Sequence, residues 1–281
     1  MRVLIALVVG LAAGAHVATW GMYKDSAYEG FCPRKYVRSI LVAGLVAVVL
    51  QSLVGFDLGR APGVVLLFGM TYAAERFLLE YHKSFFRQED QSKYFIPMAF
   101  HIGGRVVERP GVRRLASLAY LGLVAGAVAT IHALDRTGPP ATLLTLVLVG
   151  SAGGWGSALG GAWKDAPLEG FSPLKFLRSP LLAAAFALLL GTMSQSRLVV
   201  ATAALGYTVA AIETYKKFTQ THEPPGKFAG KPLRYPEMLW KRHRFVPLYA
   251  GIWALVLGAL ATALVQTAPD SFGAILEATR E

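Results

Sequence analysis

Long apolar stretches, separated by short polar and charged segments, run along the whole chain. A helix needs about 20 mostly apolar residues to cross roughly 30 Å of hydrocarbon, and eight stretches approach or reach that length. They cover residues 3–22, 39–56, 61–79, 115–134, 141–162, 177–193, 198–215 and 245–267. The pattern predicts an all-α polytopic membrane protein. The sixth and seventh stretches are short and could instead form a re-entrant hairpin, which would not change the sidedness of the other spans.

The basic residues are concentrated in every second connection. Residues 23–38, 80–114, 163–178 and 213–244 hold 22 of the 28 Lys and Arg residues. Lys and Arg resist translocation and accumulate in cytoplasmic loops. The sequence therefore predicts an integral membrane protein, such as one of the cell inner membrane, with these four segments in the cytoplasm and both termini outside.

Composition agrees with this prediction, because 54% of the residues are hydrophobic and only 16% are charged. A net charge of +11 could indicate nucleic-acid binding. The cations, however, lie beside the spans, where anionic lipid head groups are the natural partners, so we expect no nucleic-acid partner. No catalytic triad, phosphate-binding glycine loop or zinc-binding helix motif occurs in the sequence.

Two charged segments 140 residues apart are similar to each other. Residues 24–39 and 164–179 are identical at nine of their sixteen positions, and we call them the signature segments. Gly10 and Gly14 match Gly150 and Gly154 at the same offset, so the first span belongs to the repeat and is expected to stay in the mature protein. The sequence predicts two parallel four-helix repeats, residues 1–135 and 140–281, related by an axis along the membrane normal.

The ends of the third spans match less clearly. At an offset of 133, Glu80, Lys83 and Phe85 correspond to Glu213, Lys216 and Phe218. A competing offset of 137 aligns Thr71, Ala73 and Ala74 with Thr208, Ala210 and Ala211. The sequence does not decide between the two registers.

The acidic residues of the signature segments are spaced for metal binding. Asp25 and Glu29 stand four residues apart, as do Asp165 and Glu169. If the helix continues through them, the two carboxylates of each pair share one helix face. Mg²⁺ binds one or two carboxylates together with phosphate oxygens and water, so these four residues are candidate Mg²⁺ ligands, although no cofactor is certain.

The basic residues of the signature segments could bind a phosphate or another anion. They are Lys24, Lys35, Arg38, Lys164, Lys175 and Arg178. The structural alternative is a solvated cluster of ion pairs that shapes the turn between two helices.

The third spans end in the pairs Glu80–Lys83 and Glu213–Lys216, spaced three residues apart. They could be simple ion pairs at helix ends, or they could pack against a signature segment and complete a polar pocket. Glu75 and Arg76 lie about one turn deeper, where a charge is costly. They could neutralise a buried group, or Arg76 could extend towards the membrane surface.

These features favour a protein that binds a small anionic or lipid-linked substrate, or a lipid head group, at its cytoplasmic face. Built from repeats, it would act as a transporter or lipid-handling carrier. One alternative is a membrane-embedded enzyme that acts on a lipid phosphate with Mg²⁺. Another is a non-catalytic scaffold subunit.

Overall fold

The structure is a computed structural model that describes residues 1–95, 97–139, 141–219, 228 and 230–267. The side chains of Lys93, Asp165, Leu168, Glu169 and Thr219 lie outside that description. In the described part of the chain, eight helices are long and apolar enough to cross a membrane. The eight predicted spans are therefore confirmed, and the chain is an integral, all-α membrane protein.

The helices follow one another with short connections at most ends. They are α1 (Arg2–Glu29), α2 (Pro33–Val54), α3 (Ala61–Tyr81), α4 (Pro110–Thr137), α5 (Leu143–Glu169), α6 (Pro173–Gly191), α7 (Arg197–Thr214), the short α8 (Met238–Lys241) and α9 (Val246–Thr267). The helices α3 and α7 continue into π turns, His82–Phe86 and Tyr215–Thr219. Single 3₁₀ turns cover Gln91–Lys93 and Arg242–Phe245. A small antiparallel ribbon, β1 (His101–Ile102) and β2 (Arg105–Val106), lies between α3 and α4.

The sixth and seventh spans are the ones for which a re-entrant hairpin was considered. Helix α6 has 19 residues, and α7 with its π turn has 22 up to Phe218. Both therefore have the length and apolar composition of a full crossing.

The bundle is built around the contact between α3 and α7. On one side α3 packs against α1 and α2, and on the other side α7 packs against α5 and α6. Helix α9 covers α3 and α1, whereas α4 contacts α7 and leaves most of its own surface exposed. Tyr72 and Tyr207 are among the largest fully buried side chains of this central layer.

Glycines allow the helices of each pair to approach closely. A Cβ atom at Gly14 would lie 2.7 Å from the carbonyl oxygen of Ser39 in α2. A Cβ atom at Gly154 would lie 2.6 Å from the carbonyl oxygen of Ser179 in α6. Small residues at these positions let backbones pack directly, which is the usual means of helix association in a bilayer.

The crossing of α3 and α7 also depends on glycine. A Cβ atom at Gly69 would lie 2.8 Å from the carbonyl oxygen of Ala203, and one at Gly206 would overlap the carbonyl oxygen of Gly69. The two glycines are 137 residues apart, while the π turns that begin at His82 and Tyr215 are 133 apart. Helix α3 therefore has four more residues, about one turn, between the crossing and its π turn.

The end of the bundle away from the basic segments is closed by contacts between distant helices. The Asp135 carboxylate in the last turn of α4 accepts hydrogen bonds from the backbone N–H groups of Arg197 and Leu198, at the start of α7. The Gln266 side chain in the last turn of α9 accepts from the backbone N–H of Ala61, at the start of α3. The fourth helix of each predicted repeat thus caps the third helix of the other. The repeat arrangement itself stays a prediction.

Candidate functional site

The four basic segments meet at one end of the bundle, which we call the charged end. Lys35 of α2 bonds to Glu89 in the segment after α3, and Lys164 of α5 bonds to Glu80 of α3. Just before α9, Arg242 donates to the backbone carbonyl of Tyr23 in α1 at 2.8 Å. Each of the four segments is therefore in contact with at least one of the others at this end.

The two signature segments take the same backbone course. Gly30 and Gly170 follow α1 and α5 with φ/ψ of 81/163° and 78/166°, a region that favours glycine. Pro33 and Pro173 then begin α2 and α6. Helices α1 and α5 thus extend through both acidic positions of their signature segments. This meets the condition under which the two acidic residues of each segment share one helix face.

Glu80 receives three cations. Its Oε1 atom lies 2.5 Å from Nη2 of Arg76 and 2.9 Å from Nζ of Lys83, and its Oε2 atom lies 3.0 Å from Nζ of Lys164. Lys164 belongs to the second signature segment. Glu80 and Lys83 therefore lie against the other predicted repeat, the arrangement that would complete a polar pocket.

Glu213 has a corresponding environment at the end of α7. Its carboxylate oxygens lie 3.9 Å from Nζ of Lys216 and 3.6 Å from Nζ of Lys217. Lys24 of the first signature segment and Arg76 also act on this carboxylate electrostatically. Lys24 and Lys164 thus each interact with a glutamate at the end of the third helix of the other predicted repeat.

Arg76 occupies the space between these two glutamates. It interacts electrostatically with Glu80, Glu75 and Glu213, and its guanidinium lies 5.0 Å from the ring centre of Trp20. The Trp20 ring thus carries part of the stabilisation of a cation that is largely withdrawn from solvent. Arg76 therefore links the polar groups of α1, α3 and α7.

A buried aromatic network continues from Trp20 towards the middle of the bundle. The Trp20 indole N–H donates to the Tyr72 hydroxyl at 2.8 Å, and Nδ1 of His16 lies 3.0 Å from the same oxygen. The His16 ring stacks on Tyr249 of α9 with a centroid separation of 4.0 Å. Tyr72 and Tyr249 were not predicted, because a tyrosine in an apolar span carries no signal of a polar partner.

Lys35 is held by the segment that follows α3. Its Nζ atom lies 3.4 Å from Glu89 and 3.5 Å from the Tyr94 hydroxyl, which itself donates to Glu89 at 2.7 Å. Arg87 donates to the Tyr94 hydroxyl at 2.9 Å. Burial, followed by the hydrogen bond to Glu89, raises the pKa of Tyr94. This cluster could not be predicted from the sequence, because its residues carry no motif.

Arg38 and Arg178 occupy corresponding positions in the second turn of α2 and α6. Both side chains are half-buried, and Nε of each is shielded from solvent without a hydrogen-bond partner in the described part of the chain. Lys175, one turn before Arg178, is exposed. Two matching arginines thus have donors to offer at the charged end.

The predicted metal ligands are only partly described. Asp25 interacts electrostatically with Lys217, and Glu29 lines a pocket of about 460 Å³ together with Tyr235 and Lys241. The side chains of Asp165 and Glu169 lie outside the described residues. Among the side chains that are described, no three of His, Cys, Asp and Glu come close enough to share a metal ion. The Mg²⁺ site stays a prediction.

Comparisons with protein-family models, with curated proteins and with solved structures found no match to this chain. Lysines from all four segments, together with Arg76 of α3, converge at the charged end around Glu80 and Glu213. Such an arrangement can bind an anion and exchange its internal ion pairs for contacts to that anion.

Proposed function

We propose that the protein binds an anionic, phosphate-bearing substrate or lipid head group at the charged end and moves it across or within the membrane. It would act as a transporter or lipid-handling carrier, with the charged end in the cytoplasm and both termini outside. The observation that carries the proposal is the matched pair Arg38 and Arg178, whose shielded Nε donors have no partner in the described part of the chain. A shielded N–H donor without a partner is costly, and a phosphate group could accept hydrogen bonds from Nε and a terminal nitrogen of each guanidinium through two of its oxygens.

The charge balance of the charged end supports an anionic ligand. Cationic side chains outnumber acidic ones around Glu80 and Glu213 among the described residues. The cations are Lys24, Arg76, Lys83, Lys164, Lys216 and Lys217, and the acids are Asp25, Glu75, Glu80 and Glu213. A negative ligand would reduce this excess.

The surface of α2 supports a lipid as the source of the anion. A groove of about 500 Å³ is lined by Arg34, Val37, Arg38 and Leu41, with Pro33 and Val42 completing it. Arg34 and Arg38 lie in the first two turns of α2, and Leu41 and Val42 lie deeper along the helix. An anionic head group beside the arginines would place its acyl chain along the apolar part of the groove.

Movement of the ligand is supported by where the ion pairs lie. Lys164 bonds to Glu80, and Lys24 acts on Glu213, across the contact between the two predicted repeats. The Glu80 side chain is 33% exposed, so its ion pairs can exchange with a ligand. In transporters built from repeats, the substrate lies where the repeats meet.

The proposal can be tested by native mass spectrometry of the purified full chain. The double variant Arg38→Gln and Arg178→Gln should lose bound phosphorus-containing lipid by at least about tenfold, because hydrogen bonds to a charged group are worth about 1.5–3 kcal/mol each. The matched control, Arg109→Gln with Arg114→Gln, removes the same charge from exposed residues of the charged end and should retain the lipid. Equal retention by the two double variants would remove the anion site.

A further inference from the structure

Glu75 is the most completely buried acidic residue of the described chain. Its side chain in α3 is 0% exposed, and neither carboxyl oxygen has a hydrogen-bond partner among the described residues. The Ser39 hydroxyl of α2 faces the carboxyl without completing a hydrogen bond. An ionised carboxylate without donors is strongly unfavourable in such a place, so the group needs a proton or a cation.

Thr71, one turn before Glu75 on the same face of α3, is also unusual. Its Oγ1 atom is buried and has no partner among the described residues. The buried Thr208 of α7 instead donates to the carbonyl oxygen of Ala204 at 2.7 Å, the common arrangement for a helical threonine. The Thr71 hydroxyl and the Glu75 carboxyl are therefore two neighbouring buried groups that lack a hydrogen-bond partner among the described residues.

A proton fits this site better than a metal ion. Mg²⁺ and Ca²⁺ take about six or more oxygen ligands. Here the oxygen ligands would be the Glu75 carboxyl and the hydroxyls of Thr71 and Ser39. The backbone carbonyl groups of α3 are not available, because the helix runs without a break from Ala61 to Tyr81 and uses them in helical hydrogen bonds. A proton needs only one of the carboxyl oxygens.

A line of polar groups connects Glu75 with the charged end. Lys83 and Arg76 both bond to Glu80, and Arg76 follows Glu75 directly in α3. From Glu75 to Lys83 the helix rises about 12 Å, less than half of the hydrocarbon thickness. Proton-carrying acidic groups in transporters lie within such polar lines.

We propose that Glu75 is a proton-binding site that is coupled through Arg76 to the charged end. When Glu75 is neutral, Arg76 pairs with Glu80. When the proton leaves, two carboxylates compete for one guanidinium, and the Arg76–Glu80 pair weakens. Proton release therefore changes the number of cationic donors that the charged end presents.

The other charged and titratable groups around Glu75 are consistent with this competition. Burial opposes its charge, Arg76 and Lys83 favour its charge, and Glu80 opposes it. From the other helices, α1 brings His16, which is bonded to Tyr72, and α7 ends in Glu213, which acts on Arg76. The coupling rests on the proposed function, whereas the proton site does not.

Infrared difference spectra of the full chain, recorded between acidic and alkaline buffer, test the proton site directly. The wild-type protein should show the carbonyl band of a neutral buried carboxylic acid that disappears in alkaline buffer. Glu75→Gln should lack this band, and Glu108→Gln, at an exposed position outside the helices, should keep it. A band that Glu75→Gln retains would overturn the proposal, as would a wild-type band that sodium ions remove at constant pH.

A second pair of variants covers the case in which Glu75→Gln does not fold. Thr71→Val places a methyl group where a hydroxyl could solvate the carboxylate, so the titration midpoint of the band should move upward by roughly half to one pH unit. Thr208→Val, in the counterpart helix, should leave the midpoint in place. Equal midpoints in the two variants would contradict the site. Lipid retention, measured on the same samples, reports separately on the proposed function.

Discussion

The substitution Gly206→Ala tests whether the contact between α3 and α7 holds the two halves of the bundle together. The added Cβ atom would overlap the carbonyl oxygen of Gly69, and the opposing backbone cannot move aside as a flexible side chain would. The two helices would have to separate. Gly258→Ala in α9 is the matched control, because nothing lies within 4 Å of its Cβ position.

The expected change in the free energy of unfolding is the sum of two opposing contributions. Replacing glycine by alanine within a helix stabilises it by roughly 0.5–1 kcal/mol, and this gain applies to both variants. Overpacking costs about 1–3 kcal/mol, and it applies to Gly206→Ala alone. The midpoint of thermal unfolding in detergent should therefore be lower for Gly206→Ala than for Gly258→Ala by roughly 2–12 °C. Tryptophan fluorescence can follow the transition, and equal midpoints would refute the packing argument.

Two further predictions concern symmetry and topology. A carrier with a two-fold pathway should lose lipid retention to a similar extent in Asp25→Asn and Asp165→Asn, as measured by native mass spectrometry, whereas one severe and one mild variant would favour an enzyme with a single active site. In a background without the native cysteine, Phe100→Cys and Gly230→Cys should react with an impermeant maleimide only in inside-out vesicles, and reaction in intact cells would contradict the predicted orientation.

The spans could be predicted from the sequence because a bilayer allows few structures for an apolar run of this length. Backbone polar groups must be bonded within the segment, so such a run forms a helix. The signature segments were also informative, since Gly30 and Gly170 mark the same turn twice. Both features depend on residues that are close together along the chain, so they can be predicted from the sequence.

The register between the third spans could not be decided because both candidate alignments match part of the helix. Gly69 and Gly206 meet at the crossing with an offset of 137, and the π turns at His82 and Tyr215 follow with an offset of 133. The four additional residues in α3 make about one turn, so the helix faces stay nearly aligned and neither register looks wrong. Glu75 and Arg76 lie in this longer part of α3.

The partners of the site residues were the least predictable. The bond between Lys164 and Glu80 joins residues 84 positions apart, and it depends on how the ends of α3 and α5 approach each other. The pairing of Lys35 with Glu89 depends on the irregular segment after α3. The sequence of that segment shows no hydrophobic periodicity from which its conformation could be predicted. Sequence spacing identified charged positions correctly as neighbours along a helix, but it carried no information on these contacts between helices.

The capping by Asp135 and Gln266 has a consequence for how the chain could be divided. If the polypeptide were cut between α4 and α5, each fragment would contain a residue that bonds to the N-terminus of the other fragment's third helix, and would lose the corresponding bond to its own. The fragments would complement each other only as a one-to-one pair. In the intact protein the link between α4 and α5 makes that association intramolecular, which raises the effective concentration of each cap for its helix.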